Sequence, residues 1–530
     1  MSEILAALRA SMSARLGIWA LAGCAVVLSG CGGLPQQAGR EQSYAASDTA
    51  DTRLARAVAP GRAAHPGLSG FYPLAAGADA FVARIGLARA AERSLDVQYY
   101  IFHADGTGLA LLGELLAAAD RGVRVRLLLD DINSAGRDDV LDTLAAHPNF
   151  QVRLFNPFAH RNARWVDLLT DFRRVNRRMH NKSMTADNQA TIVGGRNIGD
   201  EYFAAGSDVE FHDLDVLAAG PVVTRVSAVF DEYWNSEVAY PVELLTAGRE
   251  PEARDLRKLR DTIAARMEAL RGTPYARGLA DTDLAKSIAD GRLPAYWGEA
   301  TVIADQAVKV TLPEDDSASH AIPRLAAILA EAREELILVS PYFVPGRNGV
   351  RFLRELAERG VRVKVLTNSF AATDVRAVHA GYSAYRSELL QAGIVLYELK
   401  PSAGARRAGL ESSGLSRASL HAKTYMVDGR LLFVGSLNLD PRSARLNTEM
   451  GIVLESGALC ARFRDGFDRQ IPEAAWRVEL DRGAGPGGER LVWITREDGK
   501  ETRIYAEPGM GPVQSLGQGV LRMLPIEEQL

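Results

Sequence analysis

The chain predicts an α/β protein made of two pseudo-symmetric halves, each a mixed β-sheet flanked by helices, with one active site at their interface. Three observations carry that expectation. First, four blocks recur in the same order at a spacing of about 240 residues. Ala91–Phe102 parallels Ala332–Phe343, and Arg121–Arg126 parallels Arg359–Lys364. Phe150–Phe155 parallels Ile394–Leu399, and His180-Asn181-Lys182 parallels His421-Ala422-Lys423. Second, each half alternates segments of helical period with short β-branched runs, the pattern of α/β architecture. Third, 530 residues exceed the roughly 250–300 that one hydrophobic core sustains.

Taken in chain order, Arg9 and Arg15 precede an apolar run, Leu16–Gly30, that ends in Leu28-Ser29-Gly30-Cys31. Small residues before a cysteine suit signal-peptide cleavage, so residues 1–30 read as an export leader. The four-residue pattern resembles a bacterial lipobox, which implies that Cys31 becomes the lipidated first residue of the mature chain. An uncleaved anchor helix is the alternative. Residues 31–67, rich in Ala, Gly, Ser and Gln, read as a flexible tether. The first half is expected over 68–245 and the second over 301–480. Within them Leu109–Asp120 and Val350–Glu358 show helical spacing, each closed by an Arg-Gly stop. The charged stretch 246–300, without a counterpart in the second half, reads as a linker or insertion. Residues 481–530 supply a hairpin around Asp498-Gly499 and a tail with a short helix over Leu516–Leu530.

Composition excludes several classes. With 47% hydrophobic and 24% charged residues the chain is no disordered polymer. A net charge of -4 argues against a dedicated nucleic-acid binder. Three cysteines exclude a disulfide framework and a four-cysteine zinc site. There is no His-Glu-x-x-His, no Walker A loop and no Gly-x-Ser-x-Gly elbow, and neither a metal nor a cofactor is called for.

The chemistry sits in the duplicated blocks. His180, Lys182, Asp187 and the following Gly194-Gly195-Arg196-Asn197 match His421, Lys423, Asp428 and Gly435-Ser436-Leu437-Asn438. On a strand, residues two apart share a face, so each histidine stands beside its lysine. An imidazole can attack phosphorus or move a proton, a lysine can hold an anion, and an asparagine carboxamide adds N–H donors. Two such sets around a pseudo-twofold axis would place two histidines on opposite sides of one phosphate, with Lys182, Lys423, Asn197 and Asn438 on its oxygens.

This doubled His-x-Lys…Asp pattern resembles the phospholipase D superfamily. Over residues 68–505 it resembles, more narrowly, the cardiolipin synthase C group. Supporting segments are Leu95–Ile101, Arg177–Ser183, Gly194–Tyr202, His379–Tyr382 and Leu446–Gly451. The resemblance implies transfer of a phosphatidyl group through a phosphohistidine, with His180 as nucleophile and His421 as acid, then base. It implies that Glu449 and Asp213 orient the histidines, and that Asp187 and Asp428, part of the motif, are more often structural than catalytic. Substrates would be phospholipids, with phosphatidylglycerol as acceptor and phosphatidylglycerol or phosphatidylethanolamine as donor. The setting would be a membrane of the bacterial envelope, on its extracytoplasmic side. An accessory protein partner is compatible with the resemblance, and no residue identifies one. A phospholipase D acting on water, a nuclease of the superfamily and a non-catalytic lipoprotein scaffold are the competing readings. Asp200 and Glu201 read as a helix cap, and His379 as a buried, hydrogen-bonded histidine rather than a head-group ligand. Arg173, Arg174, Arg177 and Arg178 read either as a rim for anionic head groups or as a solvated face.

Overall fold

The computed structural model describes residues 33–37, 39–206, 209–246, 252–289, 293–401, 417–483, 488–497, 499–523 and 529. The leader, Cys24 and Cys31 lie outside that range, and so does Asp498. Among the described residues no helix is long and apolar enough to cross a membrane.

The two halves repeat one sheet. In the first, the strands run in the order Ala239–Pro241, Phe150–Phe155, Arg124–Asp130, Ser94–Tyr99, Ser183–Ala186, Ala190–Gly194, Asp215–Ala219, Ser69–Leu74. In the second, Ala475–Asp481, Val395–Leu399, Arg362–Asn368, Glu335–Val339, Lys423–Val427, Leu431–Gly435, Met450–Glu455 and Tyr296–Ala304 follow in matching order. The three strands joined by helical crossovers are parallel in each half, and the hairpin strands are antiparallel. Ser69–Leu74 pairs with Tyr296–Ala304, so the two sheets join edge to edge. The second half therefore begins at Tyr296, a few residues before the expected boundary at 301.

Strand residues alternate between two buried faces. Ile192 points into the first half's own core, whereas Val193 joins a core shared between the halves. Phe71, Val216 and Val226 meet Ile337, Met426, Val434 and Ile452 there, together with Cys460, which is buried and unpaired. Burial of both faces explains why these strands read as continuous apolar runs.

One expectation needs correction. The segment read as a flexible tether is docked where it is described. Arg40 donates to Asn235 O at 2.7 Å, Ala45 N–H donates to Asp231 at 2.9 Å, and Arg53–Ala64 is a helix capped by Thr52. Its small polar residues looked like linker by composition, but their backbone groups find partners on the first half. The stretch 246–300, expected as a linker or insertion, carries helices packed on the first half. Helix Ala253–Arg271 lies on helix Gly106–Asp120, and Gly113 allows the approach: a Cβ there would meet Ile263 at 2.7 Å. Ile263 and Leu284 belong to the first half's core.

Helices Gly106–Asp120 and Gly346–Glu358 start earlier than their apolar periodicity suggested. Asp105 caps the first by accepting from Gly108 N–H at 3.0 Å. The C-terminal hairpin Arg490–Glu497 with Lys500–Ile504 extends the second sheet, and helix Pro512–Met523 follows it.

Candidate active site

Asp187 and Asp428 each turn a hairpin just beyond the motif lysine, with left-handed φ values of 51° and 53°. Aspartate tolerates that conformation better than most residues. The Asp187 carboxylate accepts the N–H groups of Glu92, Arg93 and Ser94 at 2.7–3.1 Å. Asp428 accepts those of Arg333, Glu334 and Glu335 in the same way, at 2.8–3.2 Å. Their carboxylates are occupied at the far end of the strands, tying each hairpin to the start of the neighbouring parallel strand.

The near ends of those strands meet. His180 N–H donates to Thr448 O at 2.8 Å, and Thr448 N–H donates to Arg178 O at 2.9 Å. His421 N–H donates to His212 O at 2.8 Å, beside a parallel pairing of Arg417–Leu420 with Val209–His212. Each histidine is thus stitched to the residue preceding a carboxylate of the other half. The side chains cross in the same sense. His180 Nδ1 lies 2.8 Å from Glu449, and His421 Nδ1 lies 2.6 Å from Asp213. A carboxylate at Nδ1 fixes the tautomer with the proton there and leaves the Nε2 lone pair free.

Lys182 stands just before strand Ser183–Ala186, and Lys423 opens strand Lys423–Val427. Both ammonium groups fold back: Lys182 donates to His180 O at 2.6 Å, and Lys423 donates to His421 O. All four basic groups are buried. Burial, then the charges of Lys182 and Lys423, holds His180 well below the ordinary imidazole range. Burial and Lys423 lower His421, and burial lowers both lysines. The two carboxylates differ. Burial raises Glu449 to about 7, although Ser436 and Ser443 hydroxyls donate to it at 2.5 and 2.9 Å. Burial works against Asp213 too, yet His421 and Lys423 hold it well below the carboxylate range. Four basic groups strained toward neutrality around two acids describe a centre short of negative charge, suited to a bound anion.

The asparagines are less alike than their motif. Asn197 is tied at both ends, accepting from Ile101 N–H at 3.2 Å and donating to Tyr202 OH at 3.0 Å. Asn438 has a buried carboxamide oxygen without a partner. Aromatic rings wall the histidines: Tyr100 stands edge-on to His180 with centroids 5.0 Å apart, and Tyr202 to His421 at 5.3 Å.

The family model described as "Cardiolipin synthase, PLD-like domain" matches residues 85–234 and again 325–471. The chain belongs to this phospholipase D-like family. It is 43% identical over 485 residues to "Cardiolipin synthase C" of Escherichia coli strain K12, covering 90% of this chain and 99% of that one. An uncharacterised protein of Helicobacter pylori strain 26695 is 31% identical over 89% of this chain and 91% of its own length. Among solved structures, the phosphatidylserine synthase of Haemophilus influenzae Rd KW20 superposes with a TM-score of 0.54 at 14% identity. That match covers 90% of this chain and all of the other, and it shows a shared fold.

Other residues of this phospholipase D-like chain take places that the motifs did not show. The arginine run before His180 is mostly structural. Arg178 pairs with Asp130 at 3.2 Å, Arg177 donates to Val310 O at 3.3 Å, and Arg174 donates to Pro157 O at 2.7 Å. Arg173 alone of the four is exposed. Beside it, four apolar side chains face solvent: Trp165, Leu168, Leu169 and Phe172 are 64%, 45%, 77% and 50% exposed. They are held out by an ionic footing, since Arg164 pairs with Asp131 at 3.1 Å and His160 with Asp167 at 2.9 Å. Asp200 does cap a helix, though a neighbouring one, accepting Thr107 N–H at 2.7 Å. Glu201 lies 3.2 Å from His103 instead. His379 is buried against Glu507 at 2.5 Å, which fastens the tail to the second half.

Ser436 and Ser443 were also missed. Ser436 stands in the Gly-Ser-Leu-Asn block, but only its contact with Glu449 reveals a role, and that contact depends on tertiary packing.

Proposed function

We propose that this chain is a phosphatidyltransferase that makes cardiolipin, taking phosphatidylglycerol as acceptor and phosphatidylglycerol or phosphatidylethanolamine as donor. The observation that carries it is the crossed pair, His180 with Glu449 and His421 with Asp213, in one cation-rich centre. Relationship to the Escherichia coli cardiolipin synthase C supports the lipid substrate.

His180, neutral and with its Nε2 lone pair free, attacks the phosphorus of the donor. The bond from phosphorus to the leaving alcohol oxygen breaks, and His421 passes its Nε2 proton to that oxygen. Burial and Lys423 disfavour the His421 imidazolium, and the bound phosphodiester anion together with the ionised Asp213 offsets them, so that His421 carries the proton it transfers. The acceptor hydroxyl then gives its proton to His421 as its oxygen attacks phosphorus and displaces His180. Such acid–base assistance contributes about 10²–10⁴-fold. The phosphodiester anion adds negative charge beside Lys182 and Lys423, and the Asn438 carboxamide would add N–H donors to its oxygens. The contrast between Asp213 and Glu449 supports giving the proton-carrying role to His421 and the attack to His180.

The exposed Trp165, Leu168, Leu169 and Phe172 lie a few residues before His180 and would seat the site on a lipid surface, as aromatic and aliphatic side chains do at membrane interfaces. A lipid on Cys31 would add a tether on the extracytoplasmic side of the envelope.

The test is purified protein with mixed vesicles of phosphatidylglycerol and phosphatidylethanolamine. Cardiolipin is expected, with its loss in His180→Asn and His421→Asn. Phosphatidic acid alone would replace the transferase by a hydrolase, and DNA cleavage without lipid turnover would overturn the lipid reading.

A further inference from the structure

An apolar cavity of about 280 Å³ lies in the first half, outside the carboxyl ends of strands Ser94–Tyr99 and Arg124–Asp130. Its body is aliphatic, formed by Leu109, Leu112, Leu127, Leu141, Leu144 and Leu259. Tyr100 and Asp130 also line it. Tyr100 is the ring that stands edge-on to His180, and Asp130 accepts the backbone N–H of Met179, the residue before His180, at 2.7 Å. The cavity and the histidine therefore share a wall. Of the other polar lining residues, His103, Asn133, Ser134, Arg137 and Thr262, His103 is engaged with Glu201, Arg137 with Phe102 O and Ser134 with Asp131 O.

Its outer wall is peculiar to this half. Leu259 and Thr262 come from helix Ala253–Arg271, which the Gly113 contact holds against helix Gly106–Asp120. In the second half the corresponding helix Gly346–Glu358 packs against Arg376–Gln391 instead. An aliphatic void costs stability in proportion to its volume and takes up apolar ligands rather than water. A dry cavity of about 150 Å³ accepts a six-carbon ring, so about 280 Å³ accommodates roughly ten chain carbons.

We propose that this cavity holds one acyl chain of the phospholipid whose phosphate is attacked by His180, and that the inserted helix sets how much of the chain is buried. The inference rests on the phosphatidyltransferase reading and adds a chain-selecting subsite on one side of an otherwise pseudo-symmetric centre. The donor lipid is thereby distinguished from the acceptor by burial of its tail.

The experiment measures kcat/KM of the full chain on phosphatidylglycerols with two six-, ten- or sixteen-carbon chains in mixed detergent micelles. Wild-type kcat/KM should rise from six to ten carbons and level off beyond. Thr262→Trp, at an exposed position on the cavity rim, should cut the ten-carbon value by about tenfold or more and leave the six-carbon value unchanged. Leu259→Ala should move the plateau to longer chains. A rise with chain length that both variants leave intact overturns the subsite while the transferase reading stands. So does equal turnover of all three lipids by wild type. Turnover of none of them by wild type sinks the transferase reading itself. Loss of six-carbon turnover in Thr262→Trp would also count against the subsite, because it would place Thr262 in the fold or the chemistry.

Discussion

His180, from the first half of the chain, has its Nδ1 2.8 Å from a carboxylate oxygen of Glu449, which belongs to the second half. His421 repeats the relationship in the opposite direction with Asp213 at 2.6 Å. Neither motif histidine finds its carboxylate in its own half, so the centre exists only when both are folded together. Glu449→Gln and Asp213→Asn should each reduce kcat by about 10²–10⁴-fold, as loss of the orienting carboxylate does in comparable pairs. Lipid transfer assays would read the loss, and unchanged thermal unfolding would place it in the chemistry.

The motif aspartates should behave differently. Asp187→Ala removes an acceptor from three N–H groups and puts alanine at a φ of 51°. A loss of about 1–3 kcal/mol of stability is expected, with kcat at low temperature within a few-fold of wild type. Asp187→Asn, which keeps an acceptor and tolerates the left-handed backbone, should lose less. Denaturant unfolding alongside turnover separates these effects.

Asp440 gives the structure a pH signature. Burial raises it to about 7 from an ordinary 3.8. Between roughly pH 4 and 7 the folded chain therefore holds a proton that the unfolded chain releases, and this group's contribution to stability falls as pH rises through that window. Asp440→Asn stays neutral and can still accept from Ser443 N–H. It should melt a few degrees above wild type at pH 8, with the difference shrinking as pH falls and vanishing near pH 4.

A third variant addresses the exposed apolar cluster. Trp165→Ser with Leu169→Ser should weaken sedimentation with anionic vesicles several-fold, while turnover of a soluble six-carbon substrate is retained. Retained vesicle binding would assign that surface to another partner.

Much of this was legible in the sequence because duplication turns weak signals into strong ones. A lone His-x-Lys says little, whereas His180 and His421 in register imply one shared site. The alternating elements likewise have local physical signatures. The rest depended on contacts that composition does not encode. Residues 40–46 look like linker, yet the Arg40 side chain and the backbone groups of Ser43 and Ala45 bond to Asn235 and Asp231. Three of four clustered arginines looked like surface and proved to be ties to Asp130, Val310 O and Pro157 O. Asn197 and Asn438 share a motif but not an environment, because only Asn197 has Tyr202 beside it.

The most direct test uses a phosphatidyl ester of p-nitrophenol, whose leaving group needs no proton. With His421→Asn, a burst of one equivalent of nitrophenolate should be followed by a stalled enzyme. Peptide mass analysis should then find the phosphatidyl group on the peptide carrying His180. His180→Asn should give neither burst nor adduct. An adduct on His421, or full turnover by either variant, would contradict a divided centre in which one histidine attacks and the other moves the proton.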